Sequence, residues 1–287
     1  MPSWLVPAPK TVRKLASRAA IEFTGCMAFH FIGSLSPTPV ANGIALVVLV
    51  YYAAKVSGAH LNPAASLVFT LLGYTHPVAM LVYWASQLAG CVAGALWLVA
   101  LAPEGSLAVR GVGFPGDGCF TPLSTLSRAR VFGLEAVATA FFLLPVFAVV
   151  WYTQASKGYR NSGPIIVGFS LLANAMAVGP LTGAALNPAR ALASPIVVGC
   201  PYGGGRTFVD YVLAEFAGAV VAVAALVPWY GIAAGAWYLE AVPEFLYDAV
   251  VNNDRAIVLR TVKPGDEPPS SLSRRRGLDL PPPPAGP

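Results

Sequence analysis

The sequence predicts an all-α membrane protein: six transmembrane helices and two re-entrant half-helices, arranged as an inverted repeat. Three observations carry that prediction: a shortage of charge, six long apolar segments, and two short apolar pieces that each open with Asn-Pro-Ala. Of the 287 residues, 56% are hydrophobic and 11% charged, whereas soluble domains carry about a quarter charged residues. The deficit runs along most of the chain, so apolar side chains must face something other than water.

The long apolar segments run over 17–35, 38–54, 77–100, 128–152, 163–179 and 207–232. Segment 38–54 and the stretch 78–103 contain no acidic or basic residue. Each segment approaches the roughly 20 apolar residues that a spanning helix needs. The first retains Glu22 and His30 and is followed by no convincing cleavage site, so it reads as a retained span and not as a signal peptide. Two further pieces, 62–72 and 187–198, are too short to cross a bilayer and read as half-spans.

The short pieces reveal a duplication. One is introduced by Ser57-Gly58-Ala59-His60-Leu61-Asn62-Pro63-Ala64, the other by Thr182-Gly183-Ala184-Ala185-Leu186-Asn187-Pro188-Ala189-Arg190. Glu22 and Glu135 recur in the first span of each half, and Gln87-Leu88-Ala89-Gly90 is echoed by Glu215-Phe216-Ala217-Gly218 in the last. The repeats occupy about 17–101 and 128–232. Three spans per repeat is odd, so the second copy enters the membrane inverted.

Charge orients the chain. Lys10, Arg13, Lys14 and Arg18 in and beside the 1–16 tail, Lys55, Lys157 and Arg160 fall on one side with the polar tail 242–287. That side is expected to be cytoplasmic, although Arg128 and Arg130 lie opposite. The proline-rich composition of 242–287 suits a disordered tail. The net charge of +5 reflects these flanks and gives no support to nucleic-acid binding. Four cysteines show no metal spacing; Cys119 and Cys200 fall on the same side, which leaves a bridge between them open.

Asparagine is a strong N-cap and proline suits a first helical turn, so Asn62-Pro63 and Asn187-Pro188 each read as a helix start. Two half-helices entering from opposite faces would present positive dipole ends to each other at mid-membrane. Irregular backbone at that depth is tolerated only where protein covers it or it lines a wet cavity. The expected result is a pore with an electropositive centre and asparagine amides that donate to passing solute.

With these motifs the chain resembles the aquaporin, or major intrinsic protein, family. The resemblance covers roughly 16–232 and rests on Ser57 to Ala64 and Gly183 to Arg190. It implies one passive pore per subunit and a homotetramer, with water and small uncharged solutes passing and protons and ions excluded. It implies no cofactor and no metal. It further implies that Asn62, Pro63, Ala64, Asn187, Pro188 and Ala189 form the pore centre, and that Glu22 and Glu135 support the pore loops. His60 of the first motif is expected to line the cytoplasmic vestibule, and Gln87 and Glu215 to join helices across the repeat axis.

An outer selectivity filter is implied at Asn42, Ala175, Ala184 and Arg190. Water-selective relatives carry a bulky aromatic and a histidine where this chain has Asn42 and Ala175. A wider, more polar opening follows if neighbours do not fill the space, passing urea, glycerol, ammonia or peroxide besides water. Ala191 stands where glycerol-conducting relatives carry aspartate, so neither standard pattern is met. Two other classes compete: an ion-coupled secondary transporter, and a structural membrane-junction protein. No nucleophile, metal cluster or phosphate loop suggests an enzyme.

Overall fold

The helices follow one rhythm twice. In the computed structural model α1 (Pro9–Leu35), α2 (Pro39–Ser57), α3 (Pro63–Leu71) and α4 (Pro77–Leu101) run long, long, short, long. The second half repeats this with α5 (Arg128–Ala155), α6 (Gly163–Thr182), α7 (Pro188–Val198) and α8 (Phe208–Leu226). The structure describes residues 9–35, 38–72, 74–101, 118–155, 162–200 and 208–227. Lys157, Arg160 and the expected tail 242–287 lie outside the described residues.

Proline marks the starts. It stands first in α1, α2, α3, α4 and α7 and second in α6, where its missing N–H costs no intrahelical bond. Five of the long helices are long and apolar enough to cross a membrane. The sixth, α1, differs in two ways from the expected segment 17–35. It starts at Pro9, because the basic residues ahead of Ser17 are good helix formers. Its composition is also less apolar, because Glu22 and His30 sit within it, both fully buried. Polar groups that face the bundle add no lipid-facing cost.

Packing follows the duplication. α1 packs on α2 and α4; α5 packs on α6 and α8. The halves are joined by α2 against α6, and each half-helix reaches into the opposite repeat, α3 against α8 and α7 against α4. Two glycines let the first and last long helices of each half nearly touch. A Cβ on Gly90 would lie 2.2 Å from the Phe23 carbonyl oxygen, and one on Gly218 2.3 Å from that of Ala136. The inner ends of α3 and α7 are buried on all sides, whereas Ile44, Val48, Leu81, Phe141, Phe169, Met176, Leu213 and Val221 are more than half exposed around the outside. An apolar belt of this extent suits lipid and not water.

Backbone atoms cannot yield as a side-chain tip can, so Gly90→Ala and Gly218→Ala should each destabilise by about 1–3 kcal/mol. Gly133→Ala, where nothing lies within 4 Å, should be neutral or stabilising. Thermal unfolding of the three variants in detergent would check this ordering.

A candidate pore where two half-helices meet

Each half-helix is entered by the same unusual backbone. α2 ends at Gly58 with φ 91°, and α6 at Gly183 with φ 94°. Glycine suits such left-handed caps because it has no Cβ. Ala59 (φ 54°), Leu61 (49°), Ala184 (53°) and Leu186 (51°) also take positive φ. For residues with a Cβ this costs on the order of 1–3 kcal/mol each and persists only where surroundings impose it.

Two buried glutamates impose it. Glu22 Oε1 accepts from Ser57 Oγ (2.6 Å) and His60 N (2.9 Å), and Oε2 from Leu61 N (2.7 Å) and Gln87 Nε2 (2.8 Å). Glu135 Oε1 accepts from Thr182 Oγ1 (2.5 Å) and Ala185 N (3.3 Å), and Oε2 from Leu186 N (3.2 Å). In a trans peptide the carbonyl points opposite to the N–H that follows it. With the His60 and Leu61 N–H groups turned to Glu22, the carbonyls of Ala59 and His60 point away from it. Those of Ala184 and Ala185 point away from Glu135 by the same geometry. Tyr83 Oη donates to Ser57 O (2.8 Å) and Tyr211 Oη to Thr182 O (2.6 Å), fixing the start of each loop.

The loops end at the asparagines. Asn62 Oδ1 caps α3 by accepting from Ala64 N (2.8 Å), and Asn187 Oδ1 caps α7 by accepting from Ala189 N (3.0 Å). Their amide nitrogens then cross the repeat axis: Asn62 Nδ2 donates to Leu186 O (2.8 Å), and Asn187 Nδ2 to Leu61 O (2.9 Å). The two helix N-termini therefore meet at one point. A carboxamide nitrogen carries two hydrogens, so this crossing commits one from each asparagine and leaves a second for a solute.

One turn outward from Asn187, Arg190 is almost wholly buried. Its guanidinium carbon lies 4.5 Å from the Phe29 ring centroid and 5.3 Å from that of Phe120. Asn42 is beside it: a Cβ on Gly33 would lie 2.2 Å from Asn42 Oδ1 and 2.8 Å from an Arg190 terminal nitrogen. Asn42 Nδ2 donates to Gly33 O (3.1 Å), while Asn42 Oδ1 and Arg190 Nε have no partner among the described residues. Cys119 is bonded to Cys200.

The family model described as Major intrinsic protein matches residues 14–227. The chain belongs to the major intrinsic protein family. It is a passive membrane channel. Its relatives include rat Aquaporin-8, 31% identical over 190 residues, or 62% of this chain and 70% of that protein. Probable aquaporin TIP2-2 of Arabidopsis thaliana is 31% identical over 187 residues, 65% of this chain and 66% of the relative. The lens fiber major intrinsic protein of Homo sapiens is 35% identical over 164 residues, 56% and 57% respectively. The aquaglyceroporin from Plasmodium falciparum shares the fold with a TM-score of 0.63 at 23% identity, over 73% of this chain and 94% of that one.

Within this family member, Asn62, Pro63, Ala64, Asn187, Pro188 and Ala189 lie together at the meeting point, with Glu22 and Glu135 behind the two loops. His60 is half-buried, with its ring tilted over Phe69 and edge-on to Tyr83 and its Nδ1 3.0 Å from Ser66 Oγ. Gln87 and Glu215 do not join helices across the axis. Gln87 bonds Glu22 and Ser66, and Glu215 Oε1 accepts from Asn187 N at 3.0 Å, so each serves its own repeat. The axis is crossed by the asparagine amides and by Trp84 against Phe216 (ring centroids 5.1 Å apart). Tyr83 and Tyr211 were legible as an echo, each four residues before Gln87 or Glu215; Phe29 and Phe120 left no signal that pairs them with Arg190.

A glutamine at position 22 would turn an NH₂ group toward two donors. Glu22→Gln should cost roughly 2–5 kcal/mol and lower the yield of monodisperse protein, and Glu135→Gln should do the same. Size-exclusion profiles in detergent would check both.

Proposed function

We propose that the conduit passes the paired asparagines and conducts water and the smallest neutral solutes while excluding protons and ions. The observation that carries this is the reciprocal bonding of Asn62 to Leu186 O and Asn187 to Leu61 O, which aims two spare N–H groups and two helix N-termini at one place. A water accepting from both amides points its own hydrogens outward in opposite directions, so a proton-hopping chain is broken there. Cations meet two positive dipole ends and then Arg190. Loop carbonyls of Ala59, His60, Ala184 and Ala185 supply acceptors along the approaches.

The filter is proposed at Asn42, Ala175, Ala184 and Arg190. Each of the four is no more than 3% exposed, so the passage there is narrow. Phe29 and Phe120 flank Arg190 and fill space on two sides of its guanidinium. Water, ammonia and hydrogen peroxide fit this ring better than urea or glycerol do. Ala191 is fully buried against Phe120, Val131, Ala185 and Tyr211, an apolar setting ill suited to an aspartate.

The Arg190 side faces away from the cytoplasm. Disulfides persist in oxidising compartments, and the Cys119–Cys200 bridge sits on that side. The basic residues of α1 and Lys55 lie opposite, in accord with a cytoplasmic N-terminus. Six spans return the tail 242–287 to the same side. The exposed apolar faces of α2 and α6 suit assembly into a homotetramer in the bilayer. A carrier would need intramembrane acids free to bind a coupling ion, but Glu22, Glu135 and Glu215 each accept backbone amides of the pore loops.

Stopped-flow light scattering on vesicles holding the full chain should show fast water flow with weak temperature dependence, and urea and glycerol fluxes well below it. Saturable, steeply temperature-dependent uptake would instead establish a carrier. Mercuric chloride should inhibit weakly, because Ala184 offers no thiol, Cys26 and Cys91 are fully buried and the other two cysteines are paired. Strong mercurial block would contradict that arrangement.

A further inference from the structure

We propose that Phe120 is a specificity-determining residue of the outer constriction, held on Arg190 by the Cys119–Cys200 disulfide. This rests on the channel reading and adds a wall that none of the four filter positions supplies.

The two mouths of the channel are unequal despite the repeat. On the first-motif side Gly58 is exposed and Ala59 and His60 are half-exposed; on the second, Gly183, Ala184, Ala185 and Leu186 are all buried. What covers them is the segment 118–123, which precedes the second repeat. Ser194 Oγ of α7 donates to Gly118 O (2.8 Å), and Leu123 N donates to Leu181 O (2.9 Å). Between these ties Phe120 presses on the loop so closely that a Cβ on Gly183 would lie 3.1 Å from its Cα.

The segment has no helix or strand of its own, so regular backbone bonding does not position the ring. Beyond the two hydrogen-bonded ties, the bridge fixes the residue beside the ring covalently, because Cys200 follows directly on the Gly199 cap of α7. Arg190 stands in the first turn of that same half-helix. Ring and guanidinium are therefore tied to one rigid element. The cation is flanked by Phe120 and Phe29, a desolvated arrangement in which ring and charge attract. Loss of the Phe120 ring frees space beside Arg190 and removes one of its flanking rings. The effect on permeation must then grow with solute size. If Phe120 only filled the apolar cluster with Val131, Ala185, Ala191 and Tyr211, its loss would lower stability and leave selectivity alone.

The test measures water, urea and glycerol permeability of the full chain in vesicles. Phe120→Ala should raise the urea-to-water ratio by roughly fivefold and the glycerol-to-water ratio by more. Phe120→Tyr should keep wild-type ratios, and the Cys119→Ser/Cys200→Ser double variant should shift them in the same direction as Phe120→Ala. Wild-type ratios in a water-conducting Phe120→Ala protein would overturn the inference. Should that variant fail to insert, Phe120→Leu, which keeps apolar bulk without a ring, decides by the same ratios. A shift with Phe120→Ala and none with the double serine variant would overturn the role of the bridge. A wild-type chain that passes no water would sink the channel reading itself.

Discussion

The structure depends on exchanging backbone hydrogen bonds for side-chain ones at mid-membrane. Lipid offers no partner for a loose peptide group, yet two non-helical stretches lie inside the bundle, each leading into a half-helix. Glu22 and Glu135 resolve this by accepting the loop amides, which leaves the carbonyls on the other side. The same bonds hold four residues with side chains in the left-handed region. Without those acceptors the strain and the unpaired amides would both favour another backbone path.

From that constraint the architecture follows. The glutamates must be carried by α1 and α5, which therefore lie against the loops and, at Gly90 and Gly218, against α4 and α8. The asparagines must reach the opposite loop, so the half-helices dock tip to tip and the repeats cannot separate. The two halves nevertheless differ at matching positions. Gln87 is matched by Glu215, Ala65 by Arg190, and among the described residues only the second mouth is covered by a bridged segment.

Legibility in the sequence followed distance along the chain. Asn-Pro-Ala, the flanking small residues and the glutamates are local or periodic signals, so the half-helices and their supports could be read directly. Gln87 and Glu215 were read as residues of consequence, but their partners could not be, because choosing between the loop and the neighbouring repeat needs the helix rotations. Spacing left the bridge between Cys119 and Cys200 open, since 81 residues separate them and two pairing thiols must come to within a few ångströms. The expected width of the filter depended on whether neighbours filled the space beside Arg190, and Phe29 and Phe120 come from segments about 160 and 70 residues away.

The sequence by itself determined a membrane-embedded, inverted duplication with two capped half-helices, because hydropathy, proline and asparagine act over a few residues. Tertiary structure alone decided which amides the glutamates accept, that the asparagines bond across the repeat axis, and which rings enclose the arginine. Those outcomes turn on angles and separations between helices that sequence spacing leaves unspecified.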